Sequence, residues 1–311
     1  MPQPQSDQSL PVEGTLTASA RTTAAKAGAS LRGRDMARLS SELRSRNLCR
    51  PSANLSQIAE DRAFPKVRLL GVEFDNVSRL ELLSTLKRGV VFTPNVDHIM
   101  KLRRDRSFFL VYQTADYKVC DSQVLIYAAK FLGKPLKAKL SGSDLFPWFC
   151  DYHRHNESIK IFLLGGAAGV AREAQRRINA RIGRQIVVGE YSPPYGFEQD
   201  PQECEKILGM LERSPANVVA VCLGAPKQEK WIATYRDDLP SIDIFMAIGA
   251  TVDFEAGVKP RAPKFASEIG LEWLYRLVSE PKRLWRRYLL DGFPFLVLVL
   301  SEKLRQLRPA K

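Results

Sequence analysis

The fold is decided by residues 159–182, which read IKIFLLGGAAGVAREAQRRINARI. A near-continuous apolar run over residues 159–164 leads into Gly165-Gly166, and residues 170–182 then carry apolar side chains every three or four positions. The apolar run is typical of a buried strand, and the spacing after it is typical of one face of a helix. The stretch therefore predicts a strand, a glycine turn and a helix in immediate succession.

The same alternation runs along the chain from Val67 onward. Continuous apolar strands separated by helices indicate a mainly parallel sheet covered on both faces, so we predict an α/β, Rossmann-like fold. The predicted strands are residues 90–93, 117–120, 159–164, 186–189, 218–223 and 242–248, and the predicted helices are residues 97–113, 123–132 and 170–182. Ligands bind beyond the carboxyl ends of such strands, which selects the loops after them as the candidate site.

The chain divides by composition into three parts. Residues 1–64 are rich in Ser, Ala, Arg, Gln and Pro, which predicts a disordered extension with one short helix near residues 36–46; an organelle transit peptide is the alternative. Residues 65–257 form the predicted Rossmann-like domain, and residues 258–311 form a basic amphipathic appendage. The net charge is +13, and the tail from Ala256 onward holds 12 basic and 5 acidic residues, so we expect an anionic partner there.

The appendage has the composition of a helix at a membrane interface. Residues 271–290 interleave Trp and Tyr with Arg and Lys, Pro281 is expected to break or kink the helix, and residues 293–300 are apolar. The alternative is a helix packed on the domain or on a partner, with its arginine side solvated. No apolar run reaches the roughly 18 residues that a spanning helix requires.

Cysteine and histidine usage gives no sign of a metal site. The five cysteines are scattered and lack CxxC spacing, which fits a reducing cytoplasm without a disulfide framework. His153-x-His155 lies near Cys150 and Asp151 but matches no metal-ligand spacing, so no metal is assigned. His98 stands alone and is interpreted as a packed or surface residue rather than a proton shuttle.

Seven short motifs follow one another in a fixed order along the chain. They are TPNVDH at residues 93–98, the polar turns at 115–122 and 141–144, LGGA at 164–167, LGAPKQE at 223–229, IGATVD at 248–253, KPRAP at 259–263 and EWLYR at 272–276. Over residues 67–293 the series resembles the WecG/TagA/CpsF glycosyltransferases, which are glycosyltransferase family 26. Each motif alone is weak, but seven in the same order make the resemblance specific.

That resemblance implies a UDP-sugar donor, a polyprenyl-diphosphate-linked sugar as acceptor, inversion at the anomeric carbon, no cofactor and no required metal. It also implies a bacterial cytoplasmic enzyme, peripherally associated with the inner face of the membrane, that makes exopolysaccharide or another cell-surface polymer. An anionic membrane surface is the expected further partner and nucleic acid is not. A homo-oligomer is left open.

A direct displacement needs a base for the acceptor hydroxyl, and a carboxylate is the natural choice. Asp121 matches the family's proposed base, and Asp97 is the rival. The alternative role for Asp121 is to cap the following helix, although Ser122 is an equally good cap. Many members of the family carry Gly where Ser122 stands, so this sequence departs from the family's pattern directly after Asp121. Asp144 is interpreted as a turn or cap residue.

Polar and glycine residues of the other loops are expected to hold the substrates. Thr93 and Asn95 match the family's Thr-x-Asn pair and are expected to bind the donor sugar or the acceptor, with turn chemistry as the alternative. Gln228 matches a glutamine of the family's active pocket. The backbone N–H groups at the glycine turns are expected to face a phosphate or ribose, with tight turns as the alternative. These glycines are Gly165, Gly166 and Gly224.

The UDP leaving group needs fixed cations in an enzyme without a metal. The resemblance places four arginines of the appendage over the active site, where guanidinium groups grip phosphate oxygens in pairs. They are Arg276, Arg283, Arg286 and Arg287. Lys139 stands where relatives often carry Arg, so the charge is kept but the planar fork is lost.

Two other classes of protein stay open from the residues alone. A nicotinamide or flavin oxidoreductase would use the same kind of sheet, but the G-x-G-x-x-G pattern is absent. Glu190, near the end of the next strand, suits the ribose of either a dinucleotide or UDP. A nucleic-acid-binding protein would use the basic tail.

Overall fold

The computed structural model describes residues 64–261, 271–279 and 281–307. The predicted extension therefore lies outside the described residues up to residue 63, together with its short helix near residues 36–46. Within the two C-terminal helices, the side chains of residues 272, 273, 276, 279 and 281–291 also lie outside the description.

The described strands form a hairpin and one central sheet. The hairpin pairs β1 (Lys66–Leu69) and β2 (Val72–Asp75) antiparallel. The sheet contains β3 (Gly89–Phe92), β4 (Tyr117–Lys118), β5 (Ile161–Gly165), β6 (Val187–Tyr191), β7 (Val218–Cys222) and β8 (Ile244–Ala247). Its order is β4-β3-β8-β7-β5-β6, and every neighbouring pair is parallel. The predicted Rossmann-like α/β fold is confirmed.

Helices connect the strands and cover both faces of the sheet. They are α1 (Arg79–Thr85), α2 (Val96–Arg104), α3 (Arg106–Gln113), α4 (Gln123–Phe131), α5 (Gly142–Tyr152), α6 (Val170–Ile182), α7 (Pro201–Arg213), α8 (Lys227–Tyr235), α9 (Thr251–Glu255), α10 (Glu272–Ser279) and α11 (Pro281–Leu307). Short 3₁₀ turns cover Phe197–Gln199 and Arg236–Asp238.

Each face of the sheet has its own apolar core, because successive strand residues point to opposite sides. On β5, Phe162 and Leu164 belong to one core, and Ile161 and Leu163 belong to the other. All five residues of β5 are buried. Burying a large apolar side chain fully stabilises the fold by roughly 1.5–3 kcal/mol, so continuous apolar strands of this kind hold the sheet between two helical layers.

The single helix predicted over residues 97–113 is wrong, because the chain forms α2 and α3 with a break at Asp105. The backbone of Asp105 is extended, with φ −115° and ψ 101°. Its carboxylate accepts a hydrogen bond from the N–H of Phe108 at 3.1 Å and so caps α3. The cap at Asp105 ends α2 and begins α3 without changing the spacing of the apolar residues. The spacing alone therefore could not reveal the break.

The appendage contributes side chains to the apolar core as well as carrying positive charge. α10 ends at Ser279 and α11 begins at Pro281, and because residue 280 lies outside the described residues, the predicted break at Pro281 stays a prediction. α11 packs on α2, and its Phe295 and Val299 are buried in the same core as the sheet. Among the described residues, no helix is both long and apolar enough to cross a membrane.

The turn after β5 brings two neighbouring strands unusually close. Gly165 has φ +121°, and a Cβ atom placed there would lie 2.6 Å from the carbonyl oxygen of Cys222 on β7. Side-chain atoms do not fit at that distance, and L-residues avoid that backbone conformation. The predicted glycine turn after β5 is therefore required by packing as well as by backbone geometry.

We expect Gly165→Ala to destabilise the protein by at least about 2 kcal/mol more than Gly183→Ala, because only the first adds a clash to the cost of a positive φ. Gly183 ends α6 with φ +80°, and no atom lies within 4 Å of the place that an alanine methyl group would take, so it serves as the matched control. Urea denaturation of both variants measures the difference. Equal losses of unfolding free energy would contradict the close contact.

Candidate active site

Loops from four strands meet at one edge of the sheet. Parallel strands place all their carboxyl ends on the same side, and β3, β8, β7 and β5 are consecutive neighbours there. Thr93, directly after β3, is buried, and its Oγ1 donates to the carbonyl oxygen of Ala247 on β8 at 3.4 Å. The start of the loop after β3 is thus bonded to the end of β8.

Asp121 lies beside the loop that follows β3. Its backbone N–H donates to the carbonyl oxygen of Pro94 at 2.9 Å, and its side chain is half-buried. Ser122, and not Asp121, caps α4, because its Oγ accepts from the N–H of Leu125 at 3.3 Å. Ser122 therefore takes the capping role that was the alternative for Asp121, and the backbone bond to Pro94 places residue Asp121 beside the loop that carries Thr93 and Asn95.

Asn95 has a definite structural role. Its Oδ1 accepts from the N–H of His98 at 3.2 Å, which caps α2. Asn95 therefore caps a helix, as the turn-chemistry alternative expects, and a contact from Asn95 to a sugar can use its amide nitrogen or the second lone pair of Oδ1. His98 itself is buried, with Nδ1 at 2.6 Å from the hydroxyl of Tyr112, which confirms a packed histidine.

Asp97, the rival base, is buried and paired. Its carboxylate lies 2.9 Å from the ammonium of Lys101, one turn further along α2. The same ammonium donates to the carbonyl oxygen of Ala225 at 3.3 Å, which links α2 to the loop after β7. A carboxylate held in an ion pair is stabilised in its charged form, so Asp97 is better suited to holding this link than to accepting a proton.

Gln228 joins the loops after β7 and β8. Its Oε1 accepts from the N–H of Gly249 at 3.0 Å, and its Nε2 donates to Oε1 of Glu229 at 2.9 Å. Gln228 and Glu229 are both buried in the first turn of α8. Sequence reasoning placed Gln228 in the pocket and missed Glu229.

Glu229 is the most perturbed carboxyl of this region. Burial raises its pKa to about 7, and the charge of Asp97 raises that pKa further, whereas the hydrogen bond from Gln228 and the charge of Lys101 lower it. Its Oε2 has no hydrogen-bond partner among the described residues. Ile232 and Ala233 lie on the buried face of α8. Glu229 stands three positions before Ile232, and this helical spacing was the sign in the sequence that its carboxyl would be buried.

The glycines expected to hold the donor lie at the edges of these loops. Gly166 has φ +83°, and a Cβ atom there would meet the side chain of Val252 at 3.0 Å. Gly224 has φ +75° with open space around it, and its carbonyl oxygen accepts from the N–H of Gln228 at 3.1 Å. Their positions at the carboxyl ends of β5 and β7 suit a phosphate or ribose, and the assignment stays a prediction.

Lys139 and Asp121 lie in segments that are bonded to each other. The adjacent Leu140 donates its N–H to the carbonyl oxygen of Cys120 at 2.7 Å. Burial raises the pKa of the Cys120 thiol to about 12; the Asp121 charge raises it further and the Lys139 charge lowers it. Both charged groups are thus near Cys120, and their roles stay predictions.

The arginine clamp lies outside the described residues, since the side chains of Arg276, Arg283, Arg286 and Arg287 are among those not described. The described base of the appendage is held by Arg261. Its guanidinium donates to the carbonyl oxygen of Ser143 at 2.5 Å and to Glu255 at 3.1 Å. Asp144 lies in the first turn of α5 and accepts from the hydroxyl of Ser141 at 2.6 Å, which fits the predicted turn residue.

The described residues contain no group of three or more His, Cys, Asp or Glu side chains that could hold a metal ion. Independence of a metal stays a prediction for the reaction.

Comparison with known proteins defines the class to which this fold and loop edge belong. Residues 67–309 match the Glycosyl transferase WecG/TagA/CpsF family, and the chain belongs to that family. Two Staphylococcus aureus proteins, from strains MRSA252 and MW2, are both named N-acetylglucosaminyldiphosphoundecaprenol N-acetyl-beta-D-mannosaminyltransferase. Each is 26% identical over 255 residues, which cover 79% of this chain and 96% of the relative. The comparisons support neither an oxidoreductase nor a nucleic-acid-binding protein.

The raised pKa of Glu229 predicts a pH-dependent stability. Ionising this buried carboxyl costs folding free energy, so its contribution is fully present below pH 4.5 and is lost as pH rises to about 7. We expect wild type to lose on the order of 3 kcal/mol over that interval relative to Glu229→Gln, which has no ionisable group there.

Urea denaturation at several pH values between 4.5 and 8 measures this difference. Glu205→Gln, at an exposed position of α7, is the control for removing a carboxyl. Parallel curves for wild type and Glu229→Gln would show that Glu229 does not ionise in this range.

Proposed function

We propose that this protein transfers a hexose-type sugar from a UDP-sugar to a polyprenyl-diphosphate-linked sugar, with inversion and without a metal, in exopolysaccharide or cell-surface polymer synthesis. The observation that carries the proposal is the position of Asp121 beside the Thr93 to Asn95 loop, with helix capping left to Ser122. The names of the Staphylococcus aureus relatives support a polyprenyl-type acceptor, since both specify a diphosphoundecaprenol-linked sugar.

In the proposed reaction Asp121 accepts the proton of the acceptor hydroxyl as its oxygen attacks the anomeric carbon. The new glycosidic bond forms on one face of the sugar while the bond to UDP breaks on the other, which inverts the configuration. A positioned general base of this kind contributes roughly 10²- to 10⁴-fold to the rate.

The leaving UDP gains negative charge as its bond to the sugar breaks. Backbone N–H groups at the glycine turns after β5 and β7 are suited to its phosphates, because they lie at the carboxyl ends of adjacent strands. Lys139 and the four appendage arginines would supply the remaining positive charge. Arginine is suited to this work because its planar fork binds two phosphate oxygens at once.

α11 supports a peripheral location on the inner, anionic face of the membrane. Its inner side packs on the domain through Phe295 and Val299. Its outer side exposes a stripe of apolar side chains at helical spacing, namely Phe293, Leu296, Val297, Leu300, Leu304 and Leu307. A contiguous exposed apolar stripe in a basic segment is typical of a helix that binds an anionic lipid surface.

We expect Asp121→Asn to lower kcat by about 10²-fold or more, because the amide keeps the shape of the side chain and cannot accept the proton. A panel of UDP-sugars with a synthetic polyprenyl-diphosphate sugar measures turnover. Asp97→Asn tests the rival base in the same assay. Loss of turnover in Asp97→Asn with full activity in Asp121→Asn would reverse the assignment.

We expect Leu300→Glu and Leu304→Glu each to weaken binding to phosphatidylglycerol vesicles by at least about 10-fold, because each removes a leucine from the lipid contact. Both side chains are exposed, at 55% and 62%, so the fold tolerates the change. Gln306→Glu, also exposed, adds the same charge without removing apolar surface. Unchanged vesicle binding, with a concentration-dependent change in mass instead, would assign the stripe to self-association.

A further inference from the structure

We infer that Glu229 is a positioning residue that, together with Gly249, fixes the orientation of the Gln228 amide and thereby holds the loops after β7 and β8 in one arrangement. The inference rests on the proposed function, because it gives Gln228 a place in the substrate site. The two hydrogen bonds of Gln228 and the full burial of Glu229 carry it.

The two neighbours of the Gln228 amide demand the same orientation. The backbone N–H of Gly249 can only donate, so it requires the oxygen of the amide, which it meets at 3.0 Å. Once ionised, above about pH 7, Glu229 can only accept, so it requires the nitrogen of the amide, which it meets at 2.9 Å. A glutamine amide held in this way has one orientation, and its second N–H makes no hydrogen bond to the residues that the structure describes.

Burying Glu229 at this position costs folding free energy. The side chain is 0% exposed, and one of its two oxygens has no partner among the described residues. The charged groups around it are Asp97 and Lys101 on α2, and its own charge acts on the hydroxyl of Tyr112 on α3. A buried acceptor with an unpaired oxygen costs stability. An apolar side chain of similar size would remove that cost but would leave the Gln228 N–H without its acceptor. A residue that costs stability but sets the geometry of its neighbour is typical of a functional site.

The chain of contacts from Glu229 reaches two strand-end loops. Gln228 lies in the first turn of α8, after the Gly224 turn, and Gly249 stands in the turn that leads from β8 into α9. Losing the acceptor at residue 229 frees the amide to rotate, and the bond to Gly249 weakens with it. The expected result is a misplaced substrate contact, and a displacement of about 1 Å near reacting groups can cost about 10²-fold in rate.

Glu229→Met tests the inference because it keeps the length of the side chain and removes the acceptor. We expect kcat/KM to fall about 10- to 100-fold. Glu229→Gln keeps an acceptor oxygen for the Gln228 amide and is expected to restore most of the lost activity. Glu205→Met, at an exposed position of α7, controls for the exchange of a glutamate for methionine.

A double-mutant cycle separates positioning from a direct role. If Glu229 acts through Gln228, the double variant Gln228→Ala with Glu229→Met is no less active than Gln228→Ala alone. Fully additive losses would overturn the inference, and so would a Glu229→Gln variant as impaired as Glu229→Met.

Hydrogen exchange gives a readout that needs no substrate. We expect peptides that cover Gly249 to exchange faster in Glu229→Met and in Gln228→Ala than in wild type, and at the wild-type rate in Glu205→Met. Unchanged exchange around Gly249 would overturn the inference whatever the activity. If wild type turned over no UDP-sugar, the proposed function would fail, and exchange would still decide whether Glu229 holds the two loops.

Discussion

Parallel pairing of the six central strands is the constraint on which the site depends. Because every neighbouring pair runs in the same direction, each loop that follows a strand is delivered to one edge of the sheet. At that edge the backbone of Asp121 binds Pro94, Thr93 binds the end of β8, and Gln228 binds Gly249. The loops are thus held by bonds between one another as well as by the strands beneath them.

The sequence predicted best the elements whose pattern and ends are marked by residues within the element or next to it. The helix at residues 170–182 was predicted to the residue from its apolar spacing, and the structure shows Gly169 and Gly183 at its ends with left-handed backbone. The helix predicted over residues 97–113 was wrong, because its break depends on one capping carboxylate, that of Asp105. The strand order was not predictable from such signals, since β8 lies between β3 and β7, which are distant from each other in sequence.

The candidate site was likewise predicted from the sequence only in part. Strand ends and glycine turns were sufficient to select the loops, and the structure places Thr93, Asp121 and Gln228 in loops that touch their neighbours. Glu229 was missed because it acts through contacts with Gln228 and Gly249 that only the fold creates. The chemical roles of these residues, and of the appendage arginines, stay predictions that rest on the resemblance to the family.

α2 connects the site to the appendage. Its first turn is capped by Asn95 in the loop after β3, and its outer side receives α11. Phe295 and Val299 of α11 are buried in the apolar core, so the last helix is fixed on the domain by packing. Any surface that the outer stripe of α11 binds is consequently held in a fixed orientation relative to α2 and the loop after β3.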